Sequence, residues 1–274
     1  MRIQLGLCSL LACVACGPNS STLPSSFASV ALDSPSAGVE ALAPRAFFYK
    51  LNGSSSGVCA VSVDDGYCRV WQCDDNAYAS APAITMLDPG AFSVSGANRE
   101  LSFAADDSGV YRAADFDGTA LWADGDKLTA TFEGSTQVPA TSLELSVPPA
   151  LTVTAPLLPE TGLSIALKND LTVSWEPLGT ADQVHVAISS ETDAMLPNGD
   201  VITNSTPALD CTFTGSSGTG VVRASMLALM PKPSGLKSYH FDVLTFAYSQ
   251  KRVGDTALEL RASWLGMSTV PTIE

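Results

Sequence analysis

Residues 58–73 read VCAVSVDDGYCRVWQC, and this stretch decides the fold class. Two β-type runs, VCAVSV and CRVWQC, stand on either side of an Asp-Asp-Gly turn, because Asp and Gly tolerate the positive φ of tight hairpins. Runs of the same kind, four to eight residues long, continue from Phe47 onward. Helical spacing is almost absent, apart from 224–230, which has the length of two turns. The sequence therefore predicts an all-β protein, built as a β-sandwich or a barrel.

A proline-rich stretch divides these runs into two groups. Residues 147–162, VPPALTVTAPLLPETG, cannot all form a central strand, because proline donates no hydrogen bond to a ladder. We therefore expect two sandwich-like domains, over 45–156 and 157–274. Residues 17–44 hold seven serines, four prolines and neither Lys nor Arg. Such a segment buries too little apolar area to offset its ordering entropy, so we expect a disordered, flexible tether there.

The first residues have the layout of an export signal. Arg2 precedes an apolar run that ends in small residues and cysteine before the chain turns polar. The run is shorter than the ~20 residues that a membrane-spanning helix needs. Its end, LLACVAC, resembles the lipobox of bacterial lipoproteins. The resemblance implies a signal peptide over 1–16 and a lipid on Cys16, with Cys13 as the alternative.

That resemblance also implies a location. A lipidated chain is held in the bacterial cell envelope by its lipid, so the membrane is an expected partner. Neither Cys13 nor Cys16 is followed by Asp, which by the sorting habit of the family favours the outer membrane. Lipidation of Cys16 leaves four cysteines in the body, an even number that suits an oxidising compartment. Leu10, better placed in the lipobox, favours Cys13 instead.

The second predicted domain carries a fold-level resemblance. Residues 171–189, LTVSWEPLGTADQVHVAIS, resemble the early strands of fibronectin type III and related immunoglobulin-like domains, with Trp175 in the core and Pro177 ending a strand. In such domains a later strand opens with a corner tyrosine, which Tyr239 would supply. The whole layout is also similar to lipoproteins of the myxobacterial type, a resemblance that implies no particular activity.

The charge balance disfavours one class of partner. The chain has 28 acidic and 14 basic residues, and removal of Arg2 with the signal gives 13 − 28 = −15. Nucleic acid binding requires clusters of Lys and Arg, whereas the basic residues here are scattered along the sequence. We therefore expect no nucleic acid partner, and no motif predicts a cofactor.

The four body cysteines predict a structural staple. If Asp65-Gly66-Tyr67 forms the turn, Cys59 falls opposite Cys73, so this pair is the first choice for a disulfide and Cys59–Cys68 is the next. Cys211 would then bridge to whichever cysteine is left, or stay free and buried. A zinc site is disfavoured, because no C-x-x-C pair exists and the two histidines are distant in sequence.

Other candidate sites are weaker. Asp115, Asp117, Asp124 and Asp126 come nearest to a calcium loop, although aspartate also makes turns without a metal. The GSSSG stretch at 53–57 matches the G-x-S-x-G motif of hydrolases, but no helix is expected behind it, so we interpret the match as chance.

The four tryptophans give the remaining binding lead. Rings of this size stack on sugars in exported sandwiches, and Trp71 and Trp122 are the two candidates for such a ligand site. Trp175 is expected in the core, and core packing is also the simpler explanation for Trp264.

The sequence thus favours a non-catalytic, lipid-anchored envelope protein that acts as a structural or interaction module. Its partner would be an envelope protein or a glycan, but this step is an analogy from fold. The alternative is a carbohydrate-binding surface module. The third possibility, an envelope hydrolase, would require two carboxylates, or a Ser and a His, to converge in space.

Overall fold

The all-β prediction is confirmed in the computed structural model, which describes residues 3–5, 26–35, 43–52, 59–73, 83–106, 109–114, 116–157, 162–195, 201–232 and 235–274. The strands of the N-terminal half are β1 Ile3–Leu5, β2 Ser26–Pro35, β3 Arg45–Asn52, β4 Cys59–Asp64, β5 Cys68–Cys73, β6 Ala83–Met86, β7 Phe92–Ser95, β8 Leu101–Ala105, β9 Tyr111–Ala113, β10 Lys127–Phe132 and β11 Thr141–Ser146. Those of the C-terminal half are β12 Val153–Ala155, β13 Ser164–Ile165, β14 Leu171–Trp175, β15 Gln183–Met195, β16 Val201–Thr214, β17 Thr219–Val222, β18 Leu236–Val253, β19 Thr256–Thr269 and β20 Thr272–Ile273. One helical turn, α1, spans Ala224–Leu227, shorter than the two turns expected.

Most strands join one extended sheet in the order β11-β10-β7-β8-β9-β3-β2-β19-β18-β15-β16-β5-β4, with β6 beside β3 and β1 beside β16. A three-stranded sheet, β12-β14-β17, and a two-stranded sheet, β13-β20, complete the described strands. Because β12-β14-β17 packs over β16-β15-β18, the C-terminal half is the immunoglobulin-like sandwich that was expected.

The predicted tether is wrong over Ser26–Pro35. These residues form β2, which runs parallel to β19 and antiparallel to β3. Alternate apolar side chains explain the difference, since Ala28, Val30 and Leu32 are all buried in one core. Ser29 lies on the other side of the strand, and the Ser34 hydroxyl accepts a hydrogen bond from the Leu121 amide at 3.1 Å, so the segment's polarity did not prevent folding. Residues 17–25 and 36–42 of the predicted tether lie outside the described part.

The sandwich core lies between the two sheets of the C-terminal half. Trp175 is buried there as predicted, and its indole Nε1 donates a hydrogen bond to the carbonyl of Gly215 at 2.7 Å. The hydroxyl of Tyr239 donates to the carbonyl of Pro231 at 2.8 Å, eight residues upstream. This is the contact expected of a corner tyrosine, and it fixes the loop that precedes β18.

A second core fills the N-terminal half, where the phenyl rings of Phe48, Phe92 and Phe132 lie 5.1–6.0 Å apart by centroid. The predicted boundary between 156 and 157 does not separate the two cores. β5 contributes Cys68 to the sandwich core, and β19 contributes Leu258 to the N-terminal core. The boundary fails because β18 and β19, 18 and 14 residues long, extend past the sandwich and serve both halves.

Both cores lie on the same side of the extended sheet. Along β18, Phe241 and Val243 face the sandwich core, and Ala247 and Val253 face the N-terminal core. Since side chains alternate along a strand, the even-numbered residues of β18 from His240 onward point to the opposite side. We call that side the outer face. No helical segment within the described ranges has the length and apolar character of a membrane span.

Candidate functional site

The cysteines form a staple between the two halves. Cys68 of β5 is bonded to Cys211 of β16, across 143 residues of chain. The Cys59–Cys68 alternative is therefore wrong, because Cys68 lies against β16 and its sulfur is already bonded. Cys59 and Cys73 are paired in the register of β4 and β5, opposite each other as predicted. Their side chains lie outside the described part, so that bridge stays a prediction, as does lipidation of Cys16 or Cys13.

The two candidate tryptophans are not an exposed pair. Trp122 is only 1% exposed, and its ring packs edge-on against Trp264 at 6.3 Å in the N-terminal core. The prediction that Trp122 binds a ligand is therefore wrong, because its whole ring is used in packing. Trp71 is half-buried on β5, and its indole Nε1 is buried and has no hydrogen-bond partner among the described residues. Ligand binding by Trp71 alone therefore stays a prediction.

The aspartates proposed for calcium serve as turn residues. The carboxylate of Asp117 accepts from Thr119 and pairs with Arg99 at 3.3 Å, and the Thr119 hydrogen bonds lower its pKa. Asp124 accepts from the Ala150 amide at 3.0 Å.

Asp126, in turn, accepts from the Ala123 amide at 2.8 Å. Asp115 lies outside the described residues. Within the part of the chain that is described, no three His, Cys, Asp or Glu side chains converge to hold a metal ion.

A Ser, a His and an Asp meet on the outer face. His240 Nε2 lies 3.1 Å from the Ser268 hydroxyl, which donates to the Asp242 carboxylate at 2.6 Å. In a hydrolase triad the histidine stands between the serine and the aspartate, whereas here the serine stands between the other two. The cluster lies on paired strands, and burial raises the pKa of Asp242. His240 Nε2 also lies 3.7 Å from the Asp242 carboxylate, so the three side chains form one polar network. The GSSSG stretch lies outside the described residues.

A row of arginines crosses the outer face. In register across four strands lie Arg112 of β9, Arg45 of β3, Ala31 of β2 and Arg261 of β19, and Tyr248 of β18 follows Arg261. We call these five residues the arginine row. Neighbouring strands are about 4.8 Å apart, so the Cα atoms of Arg45 and Arg261 are about 10 Å apart, with Ala31 on the strand between them. Ala31 is only 7% exposed, so the side chains around it cover most of its surface.

The charges of the row are only partly compensated. Arg112 pairs with Asp106 at 3.0 Å. Burial lowers the pKa of Arg45; Asp33 opposes that shift, and the charges of Arg261 and Arg112 lower the pKa further. Among the described residues, neither Arg45 nor Arg261 has a carboxylate within 4.0 Å. Like charges directly opposite on neighbouring strands destabilise a sheet, so the row carries an electrostatic cost.

Aromatic rings adjoin the arginine row. The Arg261 guanidinium lies 6.0 Å from the centre of the Phe246 ring, and Phe246 stacks with Tyr248 at 6.1 Å. The imidazole of His185 lies 4.2 Å from Phe246, and its Nδ1 is 3.2 Å from the Thr212 hydroxyl. Phe246 and Tyr248 are 36% and 57% exposed, so this end of the row faces solvent.

A concavity lies at the edge of the sandwich. An open cleft of about 230 Å³ is bordered by Tyr67, Phe213 and Val221. The guanidinium of Arg223 stands 3.7 Å from the Asp65 carboxylate at its border. These two charges neutralise each other, and the cleft is small. It therefore provides fewer free polar groups and less surface for binding a ligand than the outer face does.

Sequence reasoning missed the arginine row. Each arginine lies in a β-type run, but the row exists only because strands far apart in the chain come into register. The one usable signal was alternation: Arg45 stands beside the buried Ala46, and Arg261 beside the buried Leu260 and Ala262. Alternation places an arginine on the side away from the core, but it cannot say which strands lie beside it.

Comparisons with known proteins add little. No protein-family model matches the chain, and no curated protein matches it. Among solved structures, a chain described as "Ca2+-stabilized adhesin helps an Antarctic bacterium reach out and bind ice" is 12% identical, with a TM-score of 0.19. The match covers 93% of this chain and 50% of that one, so this chain spans half the length of that structure. A TM-score of this size does not establish a common fold.

Proposed function

We propose that this chain is a lipid-anchored envelope protein that acts as a non-catalytic interaction module and binds its partner through the outer face. One observation carries the proposal: Phe246 and Tyr248 stand exposed beside Arg261 on a broad sheet surface. Aromatic residues and arginine are the types that dominate binding energy at protein interfaces. The sheet behind them is packed on both cores, so these side chains stand on a rigid support.

The position of β2 sets how far the body stands from the membrane. If Cys16 carries the lipid, only nine residues separate it from Ser26, the first residue of β2. Ten extended steps reach at most about 34 Å, and a flexible coil of that length spans about 17 Å. The 28-residue tether expected from sequence would span about 30 Å as a coil. We therefore expect the body to lie close to the bilayer, in the outer membrane by the lipobox argument.

Metabolic labelling with palmitate tests the anchor. We expect the wild type to incorporate label and to sediment with membranes, Cys16→Ser to lose both properties, and Cys13→Ser to keep them. Cys211→Ser is the matched control, because it removes a body cysteine. An unlabelled wild type would refute lipidation, and loss of label only in Cys13→Ser would move the anchor to Cys13.

Site-specific photo-crosslinking tests the surface. A photoreactive phenylalanine analogue at Tyr248 is expected to give one adduct of defined mass in intact cells. Tyr67, 61% exposed at the border of the cleft in the sandwich edge, is the matched control and should give none. The substitution Arg261→Gln should weaken the adduct at Tyr248. Equal crosslinking at both positions would show that the outer face has no special role.

A further inference from the structure

We propose that the outer face binds a second copy of this chain in a two-fold symmetric dimer, with Arg261 of each protomer over Asp210 of the other. The side chains that carry this inference form one string across the sheet, made of Arg261, Phe246, His185 and Asp210. We call it the Arg261–Asp210 string. The inference rests on the proposed function and specifies its partner.

The string crosses four neighbouring strands in the order β19, β18, β15 and β16. The Arg261 guanidinium lies 6.0 Å from the centre of the Phe246 ring, and that ring lies 4.2 Å from the centre of the His185 imidazole. The imidazole Nδ1 is 3.7 Å from the Asp210 carboxylate. A cation thus stands at one end of the string, an anion stands at the other, and two rings lie between them.

All four side chains belong to the outer face. The residues on both sides of Arg261 are buried in the N-terminal core, and those on both sides of His185 and of Asp210 are buried in the sandwich core. Because side chains alternate along a strand, these three point to the opposite side of the sheet. Phe246 and the side chain of Asp210 are each 36% exposed, so the string is open to solvent at both positions.

The two ends of the string have no direct ion-pair partner of fixed charge. Among the described residues, no carboxylate, that of Asp33 included, lies within 4.0 Å of Arg261. In the same part of the chain, no Lys or Arg nitrogen lies within that distance of Asp210, whose contact is with His185, charged only when protonated. Arg69, next to Asp210 in the register, pairs with another aspartate at 3.0 Å. A group outside the chain can therefore form an ion pair at each end.

A two-fold axis makes the string complementary to itself. In an isologous interface one surface meets its own copy, so residue i contacts residue j and j contacts i. We place the axis in the interface, perpendicular to the string and through the contact between Phe246 and His185. Arg261 of each protomer then lies over Asp210 of the other, and the two ion pairs flank an aromatic centre. Tyr248, 57% exposed and stacked with Phe246 at 6.1 Å, adds a further aromatic ring from each protomer.

Charge complementarity favours a second copy over an unrelated protein. A partner for the string must present an anion and a cation at matching spacing, with an apolar centre between them, and a second string does so by symmetry. The net charge of −14 opposes association at long range. The Debye length at physiological ionic strength is about 8 Å, so charges elsewhere on the two bodies are largely screened.

The size of this surface indicates a weak dimer. From β16 to β2 the sheet has five strands, so this part is about 19 Å wide, and Asp242 to Tyr248 spans about 20 Å along β18. The resulting area of about 400 Å² is below the ~800 Å² that each partner contributes to a standard interface. We therefore expect a dissociation constant in the micromolar range rather than a permanent dimer.

Sedimentation equilibrium on the full chain in a density-matched detergent tests the proposal. Arg261→Asp and Asp210→Arg should each weaken the dimer at least about tenfold, because each sets like charges against each other at two symmetry-related contacts. The variant with both substitutions should dimerise again, since it restores the pair with its charges exchanged. Arg223→Asp is the matched control: it reverses an arginine whose side chain is 61% exposed at the cleft, and should leave the dimer unchanged.

The melting temperatures of the variants separate a binding role from a structural one. Tyr248→Ala truncates a side chain that is 57% exposed, so it should melt close to the wild type and still weaken the dimer. A large fall in melting temperature in Arg261→Asp and in Asp210→Arg, not recovered in the double variant, would assign both residues to folding and overturn the proposal.

Three results of the sedimentation experiment would also overturn it. They are a monomeric wild type at high micromolar concentration, single reversals that leave the dimer unchanged, and a double variant that dimerises no better than either single one. In the crosslinking experiment, an adduct at Tyr248 with twice the mass of the chain supports the second copy. An adduct of any other mass would reject the second copy and leave the proposed function standing, whereas no adduct and a monomeric wild type would reject both.

Discussion

The position of β2 in the sheet leads to a prediction that a tether would not share. Leu32 is fully buried in the N-terminal core, in a segment whose composition is that of a flexible linker. Replacing a buried leucine by alanine removes the transfer free energy of its methyl groups and leaves a cavity, at a cost of about 3 kcal/mol. For a protein of this size each kcal/mol corresponds to roughly 2–4 °C, so Leu32→Ala should melt roughly 6–12 °C below the wild type.

Differential scanning calorimetry on the purified chain measures this shift. Leu157→Ala is the matched control, because the same atoms are removed from a side chain that is 78% exposed. We expect its melting temperature to stay within about 1–2 °C of the wild type, since surface substitutions rarely cost more than ~0.5 kcal/mol. Equal melting temperatures for Leu32→Ala and Leu157→Ala would show that β2 is not part of the folded body.

Three further predictions concern the two cores and the outer face. Removing the staple with Cys68→Ser and Cys211→Ser together should cost about 5 kcal/mol in urea unfolding, by the chain-entropy relation for a 143-residue separation; an unchanged midpoint would contradict it. Burial raises the pKa of Asp242, so the folded state holds the proton more tightly and loses that stability as the pH rises through the folded pKa. Asp242→Asn should therefore be more stable than the wild type at pH 7 and equally stable near about pH 3. Urea unfolding at both pH values measures this, and a difference in stability at the acid pH alone would contradict the predicted direction of the pKa shift. Trp122→Ala should lower stability by about 3–5 kcal/mol in urea unfolding, because its ring packs in the core; an unchanged unfolding midpoint would show that the ring is not needed for packing.

The sequence was sufficient for features that depend on neighbouring residues. Alternation and turn chemistry identified the strands on both sides of the Asp-Asp-Gly turn, and the Trp175 and Tyr239 patterns identified the sandwich. Each of these signals is written within about ten residues. The paired positions of Cys59 and Cys73 follow from the same hairpin geometry.

The sequence was insufficient where the outcome depended on partners far along the chain. Composition described 17–44 as a tether because it averages over serines and prolines. Val30 and Leu32 are buried only because β19, more than 200 residues later, provides a parallel partner. The domain boundary failed for the same reason, since β18 and β19 continue past the sandwich to complete the second core.

Residues 26–35, which composition placed in a tether, also connect the predicted anchor to the proposed binding surface. β2 begins nine residues after Cys16 and carries Ala31, the small residue at the centre of the arginine row. Ala31 is only 7% exposed between Arg45 and Arg261, so the spacing of these two strands' arginines depends on the small side chain that β2 places there. Parallel pairing with β19 also sets which residue stands beside Arg261, because a slip of one residue would turn Ala31 toward the core and Leu32 outward. The strand nearest the predicted lipid is therefore the one that fixes both the position of the body and the geometry of its proposed binding surface.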